Sequence, residues 1–351
     1  QLATTQAQTV AGALAVLTGR PAELVLVTTE GDQATGSLVS FGGVGVFVGA
    51  VREAILDGRA EVGVHSLKDV PTEPHADLVI AATPIREDPS DAFCGIDGAT
   101  LDDLQIAATV GTGSPRRASQ IRAMRPDLNV VDIRGNIDTR LARIESGDLD
   151  AVILATAGLV RIGRDSVITQ RLNPQQMLPA PGQGALAVEA STAVLERDAD
   201  LHKALLRLDD FSTHAAVSAE RSLLNALEAG CTAPVGALAT VTPDDTNLDA
   251  TPENSTIHLQ AVAASVDGSK VIRMSLLALL ATPRDLVANL RPSSSQLAPL
   301  ICWGSPHSDR RTPEEEPPCR DHLARFCRSR GPRAPDDSRD NPVGRCRRSR
   351  R

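Results

Sequence analysis

Residues 42–72, with the sequence GGVGVFVGAVREAILDGRAEVGVHSLKDVPT, contain the pattern that decides the fold. Apolar residues at helical spacing predict a helix over residues 46–56, which ends at Asp57-Gly58. The apolar run over residues 60–65 predicts a buried strand, and residues 78–82 predict a second one. Helices that alternate with short strands are typical of an α/β protein, so we expect a parallel sheet here.

The same alternation continues on both sides of this stretch. Upstream, residues 3–17 have the apolar spacing of a helix that stops at Gly19, and residues 23–28 predict a strand. Downstream, the polar segment 86–92 predicts a crossing between domains. Beyond it, strands are predicted over residues 106–110, 129–133 and 151–154, and helices are predicted to begin near Pro115 and Ile137. A second crossing is predicted at residues 179–184, before a strand at residues 185–189.

The last part of the chain predicts a different kind of unit. Residues 213–229 have an amphipathic helical pattern that ends at Gly230, and Cys231 follows. Strands are then predicted over residues 235–241, 257–266 and 270–274, and Asp267-Gly268 favours a type I′ hairpin turn. We therefore predict two α/β domains plus a small C-terminal α+β domain, with domain 1 over residues 1–85 and 185–203, domain 2 over 90–180, domain 3 over 207–283 and an Arg/Pro/Cys-rich tail over 290–351.

Composition disfavours several classes of protein. The 351 residues include 36 Lys and Arg against 44 Asp and Glu, a net charge of −8, and only 2% are aromatic. A nucleic-acid-binding protein needs a basic surface and usually stacking aromatics, so we expect no nucleic-acid partner. No apolar run approaches the roughly 20 residues of a membrane span, so we expect no membrane partner. Cys94 and Cys231 cannot form a disulfide framework in a body this large, so we expect a cytoplasmic protein.

Residues 111–117, GTGSPRR, follow a predicted strand and open a predicted helix. Ser114 suits the N-cap and Pro115 the first helical position, so Arg116 and Arg117 fall in the first turn. Free backbone N–H groups and two guanidinium groups there would make an anion site. An ordinary capped helix with two solvated arginines explains this motif equally well, and it is neither a Walker A sequence nor a GxGxxG fingerprint.

Further arginines follow the later strands. Arg134, Arg140 and Arg143 surround one turn, and Arg161 follows the strand at residue 151. Open α/β sheets bind ligands at the C-terminal ends of their strands. Arginines at three separate strand ends favour a polyanionic ligand over a solvated charged surface, and the guanidinium fork suits carboxylates.

Two other residues are candidates for chemistry. Asp69 lies in the segment HSLKD at the end of a predicted strand and could act as an acid or base, although an Asp beside a Lys is more often a surface pair. Cys231 lies just beyond a predicted helix, and such a cysteine is inert unless a nearby cation lowers its pKa. The spacing of the four tail cysteines fits no usual zinc site, so we expect no metal.

Seven segments together resemble one family, the porphobilinogen deaminases or hydroxymethylbilane synthases. They are residues 42–72, REDPSDAF, VGTGSPRRASQI, DIRGNIDTRLARI, DAVILATAGLVRIG, LPAPGQGALAVE and EAGCTAPVGA. Their order along about residues 2–283 argues against chance agreement. The resemblance implies three domains, of which the first two are similar to type II periplasmic binding proteins.

The resemblance also implies an activity. Enzymes of this family are transferases of tetrapyrrole biosynthesis, which condense four porphobilinogen molecules head to tail into hydroxymethylbilane and release ammonia. It implies a dipyrromethane cofactor attached by a thioether to Cys231 and a catalytic aspartate at Asp69. Loss of ammonia leaves an azafulvenium cation, which a nearby carboxylate can stabilise. The expected protein is a monomer whose product passes to uroporphyrinogen-III synthase.

The residues of the site follow from the same resemblance. Each pyrrole carries an acetate and a propionate, so the growing chain brings many carboxylates and needs cationic partners. Phe47 matches an active-site phenylalanine of the family. The matching carboxylate-binding positions are Ser66, Lys68, Thr112, Ser114, Arg116, Arg117, Arg134, Arg140, Arg161 and Gln183.

The two ends of the chain depart from the family pattern. The family's first strand and its Arg/Ser ligand pair should precede Gln1, and the expected closing helix is replaced after about residue 283. We expect residues from about 290 onward to be mostly disordered. Two alternatives therefore stay open: a non-catalytic binding protein for anionic solutes with the same fold, and an inactive, truncated or frame-altered relative.

Overall fold

A computed structural model describes residues 1–27, 48–227, 233–242 and 255–279. The predictions for Phe47, Cys231 and the tail from residue 290 lie outside these ranges. The described strands are β1 (Val62–Ser66), β2 (Leu78–Ala82), β3 (Asp91–Gly95), β4 (Thr109–Gly111), β5 (Asn129–Val131), β6 (Ala151–Ala155), β7 (Gln170–Leu172), β8 (Leu186–Ser191), β9 (Val235–Thr242), β10 (Thr256–Ala264) and β11 (Val271–Leu279).

The helices alternate with the strands through most of the described chain. None of those in the described ranges is long and apolar enough to cross a bilayer. They are α1 (Leu2–Thr18), α2 (Gly49–Leu56), α3 (Pro115–Met124), α4 (Ile137–Glu145), α5 (Thr156–Arg161), α6 (Thr192–Arg197), α7 (Ala199–Leu208) and α8 (Phe211–Ala226).

The first sheet has the strand order β1-β8-β2, and β8 is antiparallel to both neighbours. The prediction of a parallel sheet is therefore wrong for the described strands of this sheet. The reason is the chain path, because β8 returns after the second sheet and inserts between β1 and β2 in the opposite direction. Val10 and Leu14 of α1 pack against Val188 and Leu205 in its core.

The second sheet is mixed, with the order β5-β4-β6-β3-β7. Strand β4 is parallel to β5 and β6, whereas β3 is antiparallel to β6 and β7. Phe93, Ile121, Ile153 and Met177 are fully buried in its core. Residues 83–90 lead into this sheet from the first one and residues 173–185 lead back, so two crossing segments connect them.

The third sheet is antiparallel, with the order β11-β10-β9, and helix α8 packs on it. Ala216 and Leu223 of the helix share a buried cluster with Ala237 and Leu259 of the sheet. Two α/β units followed by a small α+β unit confirm the predicted fold class. The exact domain boundaries stay predictions.

Two predicted strands differ from the structure. Residues 23–27 have no regular secondary structure, and Leu26 is 81% exposed. An apolar run becomes a strand only where its backbone groups pair with a neighbour, and residues 23–27 pair with none of the described strands. Strand β4 begins at Thr109 rather than at residue 106, because Ala107 has a φ of 65° that interrupts an extended chain.

The hairpin between β10 and β11 forms where it was predicted, but its turn is not type I′. That turn needs positive φ at both central residues, and only Gly268, at 74°, has it. The Asp267 carboxylate instead accepts hydrogen bonds from Ser265 Oγ and from Ser269 N, which holds a longer loop. The backbone N–H of Ser265 donates to Lys270 O at its base.

Candidate functional site

A cleft of about 230 Å³ opens where α1, the crossing segments and the ends of β1 and β6 meet. It brings together side chains from both α/β units. The predicted site residues that line it are Ser66, Lys68, Asp69, Arg117, Arg140 and Arg161. Four of these six are cations, so the cleft is built for an anionic ligand.

The turn that carries Asp69 is held tightly beneath the cleft. Strand β1 ends at Ser66, and Leu67–Asp69 form a single 3-10 turn. Leu67 is buried, and its N–H donates to Ala185 O at 3.0 Å. Gly182 packs directly on this turn, since a Cβ at Gly182 would overlap the Leu67 side chain. The turn therefore presents Lys68 and Asp69 to the cleft from a fixed base.

The protein around the cleft changes the ionisation of this pair. The Asp69 carboxyl lies at the cleft surface but is surrounded by protein, and this partial desolvation raises its pKa, which Lys68 and His65 partly offset. Burial lowers the pKa of Lys68 to about 8, against the opposing effect of Asp69. A carboxyl with a raised pKa binds a proton more readily than a free carboxyl does, which favours a role in acid–base chemistry.

Beneath the cleft, a buried carboxylate organises three predicted site residues. Asp91 is fully buried, and its two oxygens accept hydrogen bonds from Arg116 at 2.6 and 3.1 Å. Arg117 Nε and Gln183 Nε2 each donate to Asp91 Oδ1 at 2.8 Å. Burial alone would raise the pKa of Asp91, but the two guanidinium groups hold it well below its usual range. This ion cluster fixes Arg117 at the cleft.

The structure places other predicted ligands away from the cleft lining. Arg116 and Gln183 are committed to Asp91, as just described. Thr112 is buried and accepts from Ser114 N, while Ser114 Oγ accepts from Arg117 N at 3.4 Å, which confirms the predicted N-cap. Arg134 lies outside the lining and forms an ion pair with Asp132 at 3.1 Å. Direct carboxylate binding by these residues stays a prediction.

The arginines that line the cleft are positioned through backbone carbonyls. Arg140 Nε donates to Gly135 O at 2.8 Å, and Arg161 Nη2 donates to Gly184 O at 2.6 Å. Burial lowers the pKa of Arg140, and the nearby Arg117 lowers it further. Cations that destabilise one another in this way gain free energy when an anion enters between them.

Sequence reasoning missed two residues that support the site. One is Asp91, which lay in a segment that the sequence indicated as a crossing and that contributed to the family resemblance, but no role was given to this residue. The other is Gln6, whose Nε2 donates to Ser66 Oγ at 3.1 Å. Gln6 is buried on the apolar side of α1, near Val10. A single polar side chain on the buried stripe of a helix was the available signal.

The structure distinguishes Cys94 from a reactive thiol. Cys94 lies within β3, and burial raises its pKa to about 12. A thiol of this kind is a poor nucleophile, as expected for a structural cysteine. Among the residues described, no group of three or more His, Cys, Asp and Glu side chains could hold a metal ion.

Comparisons with known proteins agree on one family. Residues 1–199 match the family model "Porphobilinogen deaminase, dipyromethane cofactor binding domain", and residues 214–292 match "Porphobilinogen deaminase, C-terminal domain". The porphobilinogen deaminase of Micrococcus luteus is 49% identical over 316 residues, covering 82% of this chain and 82% of that protein. That of Nocardia farcinica is 52% identical over 278 residues, covering 78% and 77%.

The matches among solved structures are more distant. The VFT2 domain of Bordetella pertussis BvgS matches with a TM-score of 0.36 and 17% identity, covering 62% of this chain and 83% of that one. A TRAP periplasmic solute binding protein from Desulfovibrio salexigens matches with a TM-score of 0.37 and 10% identity, covering 60% and 68%.

Proposed function

This chain belongs to the porphobilinogen deaminase family, and we propose that the cleft is where it performs the family reaction, with Asp69 as the catalytic residue. The enzyme is a transferase of tetrapyrrole biosynthesis that condenses four porphobilinogen molecules head to tail into hydroxymethylbilane and releases ammonia. The observation that supports this site is a carboxyl of raised pKa, Asp69, among Lys68, Arg117, Arg140 and Arg161.

The lining of the cleft fits the family's dipyrromethane cofactor. That group carries carboxylates, and the described residues of the lining include four cations and one acid, Asp69. We assign Lys68, Arg117, Arg140 and Arg161 to hold the carboxylates of the cofactor and of the substrate units added to it, and Cys231 to attach the cofactor. When bound, the cofactor supplies the primer to which substrate units are added.

The chain's own residues then have distinct tasks. Arg140 and Arg161 pair with carboxylates of the substrate and hold its ring in place. When ammonia leaves the substrate, positive charge develops on the pyrrole ring, and the Asp69 carboxylate stabilises that charge. Asp69 can also hold the proton that is exchanged around carbon–carbon bond formation, because partial desolvation raises its pKa and so favours proton binding.

The low pKa of Lys68 predicts a dependence of KM on pH. Burial destabilises the ammonium form, so Lys68 loses its proton near pH 8 rather than near its usual value. Below pH 8 it is a cation that binds carboxylate, and above pH 8 it is neutral. We expect the KM for porphobilinogen to rise roughly tenfold between pH 7 and pH 9.

Lys68→Arg is the matched control, because a guanidinium keeps its charge over this pH range. Initial rates measured against porphobilinogen concentration should show a flatter KM profile in this variant. An equal rise in KM in both proteins would show that titration of Lys68 is not its cause.

Stoichiometry separates the enzyme from the two alternatives. We expect the purified full chain to consume porphobilinogen and to release one ammonia for each molecule consumed. A solute-binding protein would bind porphobilinogen without consuming it, and an inactive relative would do neither. The Asp69 carboxyl at a cationic cleft favours the enzyme, since binding an anion needs no such acid.

The compartment and the assembly are also proposals. A free, buried Cys94 is consistent with a reducing compartment, so we place the enzyme in the cytoplasm. On the resemblance we propose a monomer that passes its product to uroporphyrinogen-III synthase. Size-exclusion chromatography with light scattering would test whether the protein is a monomer.

A further inference from the structure

Helix α8 makes two sets of polar contacts through adjacent residues. Glu220 is fully buried, and its carboxylate accepts hydrogen bonds from Arg86 at 2.6 and 3.1 Å, from Gly182 N at 2.6 Å and from Ala239 N at 2.8 Å. It therefore ties the helix to both crossing segments and to β9. Arg221, the next residue, contacts a different segment, the backbone at Val70 and Pro71.

Arg221 holds the backbone directly after Asp69. Its Nη1 donates to Val70 O at 2.8 Å, and its Nη2 donates to Pro71 O at 2.6 Å. These are two successive carbonyls, so the planar guanidinium fixes the orientation of the peptide unit between them. On the other side of Asp69, the N–H of Leu67 donates to Ala185 O. The Asp69 turn is thus held at both of its ends.

We propose that Arg221 is a positioning residue, which sets the Asp69 carboxylate relative to helix α8. This inference rests on the proposed function of Asp69. Cys231 comes shortly after Ala226, the last residue of α8. One helix then carries the anchor of the catalytic turn and leads to the attachment point of the growing chain.

The surroundings of Arg221 support a geometric task rather than a contribution of charge. Burial lowers the pKa of Arg221, and the nearby Glu189 opposes that effect. Glu189 is itself buried, is paired with Arg52 at 2.7 Å and lies 3.2 Å from His65 Nε2. Glu189 is thus already paired with Arg52, which itself lowers the pKa of Arg221, and the donors of Arg221 are directed at two neutral carbonyls.

Arg221→Met tests this proposal, because it keeps an unbranched apolar stem and removes both guanidinium donors. A displacement of about 1 Å at a reacting group can cost around 10²-fold in rate. We expect kcat to fall about 10- to 100-fold with little change in KM. We also expect faster hydrogen exchange at the Val70 amide, which bonds to Leu67 O in the wild type. Arg207→Met, an exposed residue of α7, is the matched control and should leave both quantities unchanged.

A double-mutant cycle with Asp69→Asn separates positioning from general stability. If Arg221 acts through Asp69, the double variant should be no slower than Asp69→Asn alone. Arg221→Lys offers a milder change and should recover part of kcat, since an ammonium can bond to one of the two carbonyls. Both results are to be compared at equal occupancy of the cofactor, measured by intact mass.

Failure of the proposed role of Asp69 and failure of the proposed role of Arg221 would give different results. Normal turnover in Asp69→Asn would overturn the proposed catalytic role, whatever Arg221 does. If Asp69→Asn is slow but Arg221→Met has a normal kcat, only the role of Arg221 is overturned. The same holds if the two reductions in kcat are fully additive in the double variant. If Arg221→Met does not fold, the same cycle with Arg221→Lys decides the question.

Discussion

Asp69→Asn is expected to lower kcat by about 10² to 10³-fold while the folded structure and the covalent adduct are retained. The amide keeps the shape of the side chain but removes the negative charge that stabilises the pyrrole cation. It also removes the group that holds a proton, whose pKa the partly desolvated site raises. Single-turnover measurements of porphobilinogen consumption would give this rate directly.

Glu73→Gln is the matched control for this prediction. Glu73 is an exposed carboxylate in the segment that follows Asp69, and it does not line the cleft. Its neutralisation should leave kcat unchanged. Turnover in Asp69→Asn within a factor of two or three of the wild type would contradict the catalytic role.

Asp91→Asn is expected to lower the free energy of unfolding by about 3–5 kcal/mol. The carboxylate is fully buried between Arg116 and Arg117, so an amide there leaves two buried guanidinium groups without their counter-charge. The lowered pKa of Asp91 gives the sign of the pH dependence. Its contribution is present above the usual Asp pKa and is lost as the pH falls towards the lower pKa of the folded state.

Asp132→Asn removes a carboxylate from a comparable pair at the surface, where Arg134 and Asp132 are both largely exposed. Such a pair contributes about 0–1 kcal/mol, so urea unfolding followed by circular dichroism should distinguish the two variants clearly. If both variants lower the free energy of unfolding by the same small amount, Asp91 does not organise the arginines under the cleft.

Local signals in the sequence predicted most of the secondary structure. The N-cap Ser114 and Pro115 fixed the start of α3, and the apolar spacing from residue 3 to residue 17 fixed α1, because these signals act within one or two turns. Strand direction depends on pairing between distant segments. That β8 would pair with β1 in the antiparallel sense could not be read from either strand alone.

For the site too, the local features could be predicted from the sequence and the long-range contacts could not. The arginines at strand ends and Asp69 were visible as residue types at ligand-side positions, and the family resemblance supplied their roles. Arg116 is buried beneath the cleft, whereas Arg117 lines it. This difference depends on their hydrogen bonds to Asp91, which is distant in sequence. The hydrogen bonds from Arg221 to Val70 and Pro71 likewise join segments that are 150 residues apart, and no local pattern indicated them.

We propose that this transferase carries its primer on Cys231. The most direct test is the intact mass of the purified full chain from cells that make porphobilinogen, followed by peptide mapping and a Cys231→Ser control. We expect an added mass equal to one dipyrromethane, located on the Cys231 peptide and absent from Cys231→Ser. An unmodified wild-type chain, or an adduct on the buried Cys94, would contradict it.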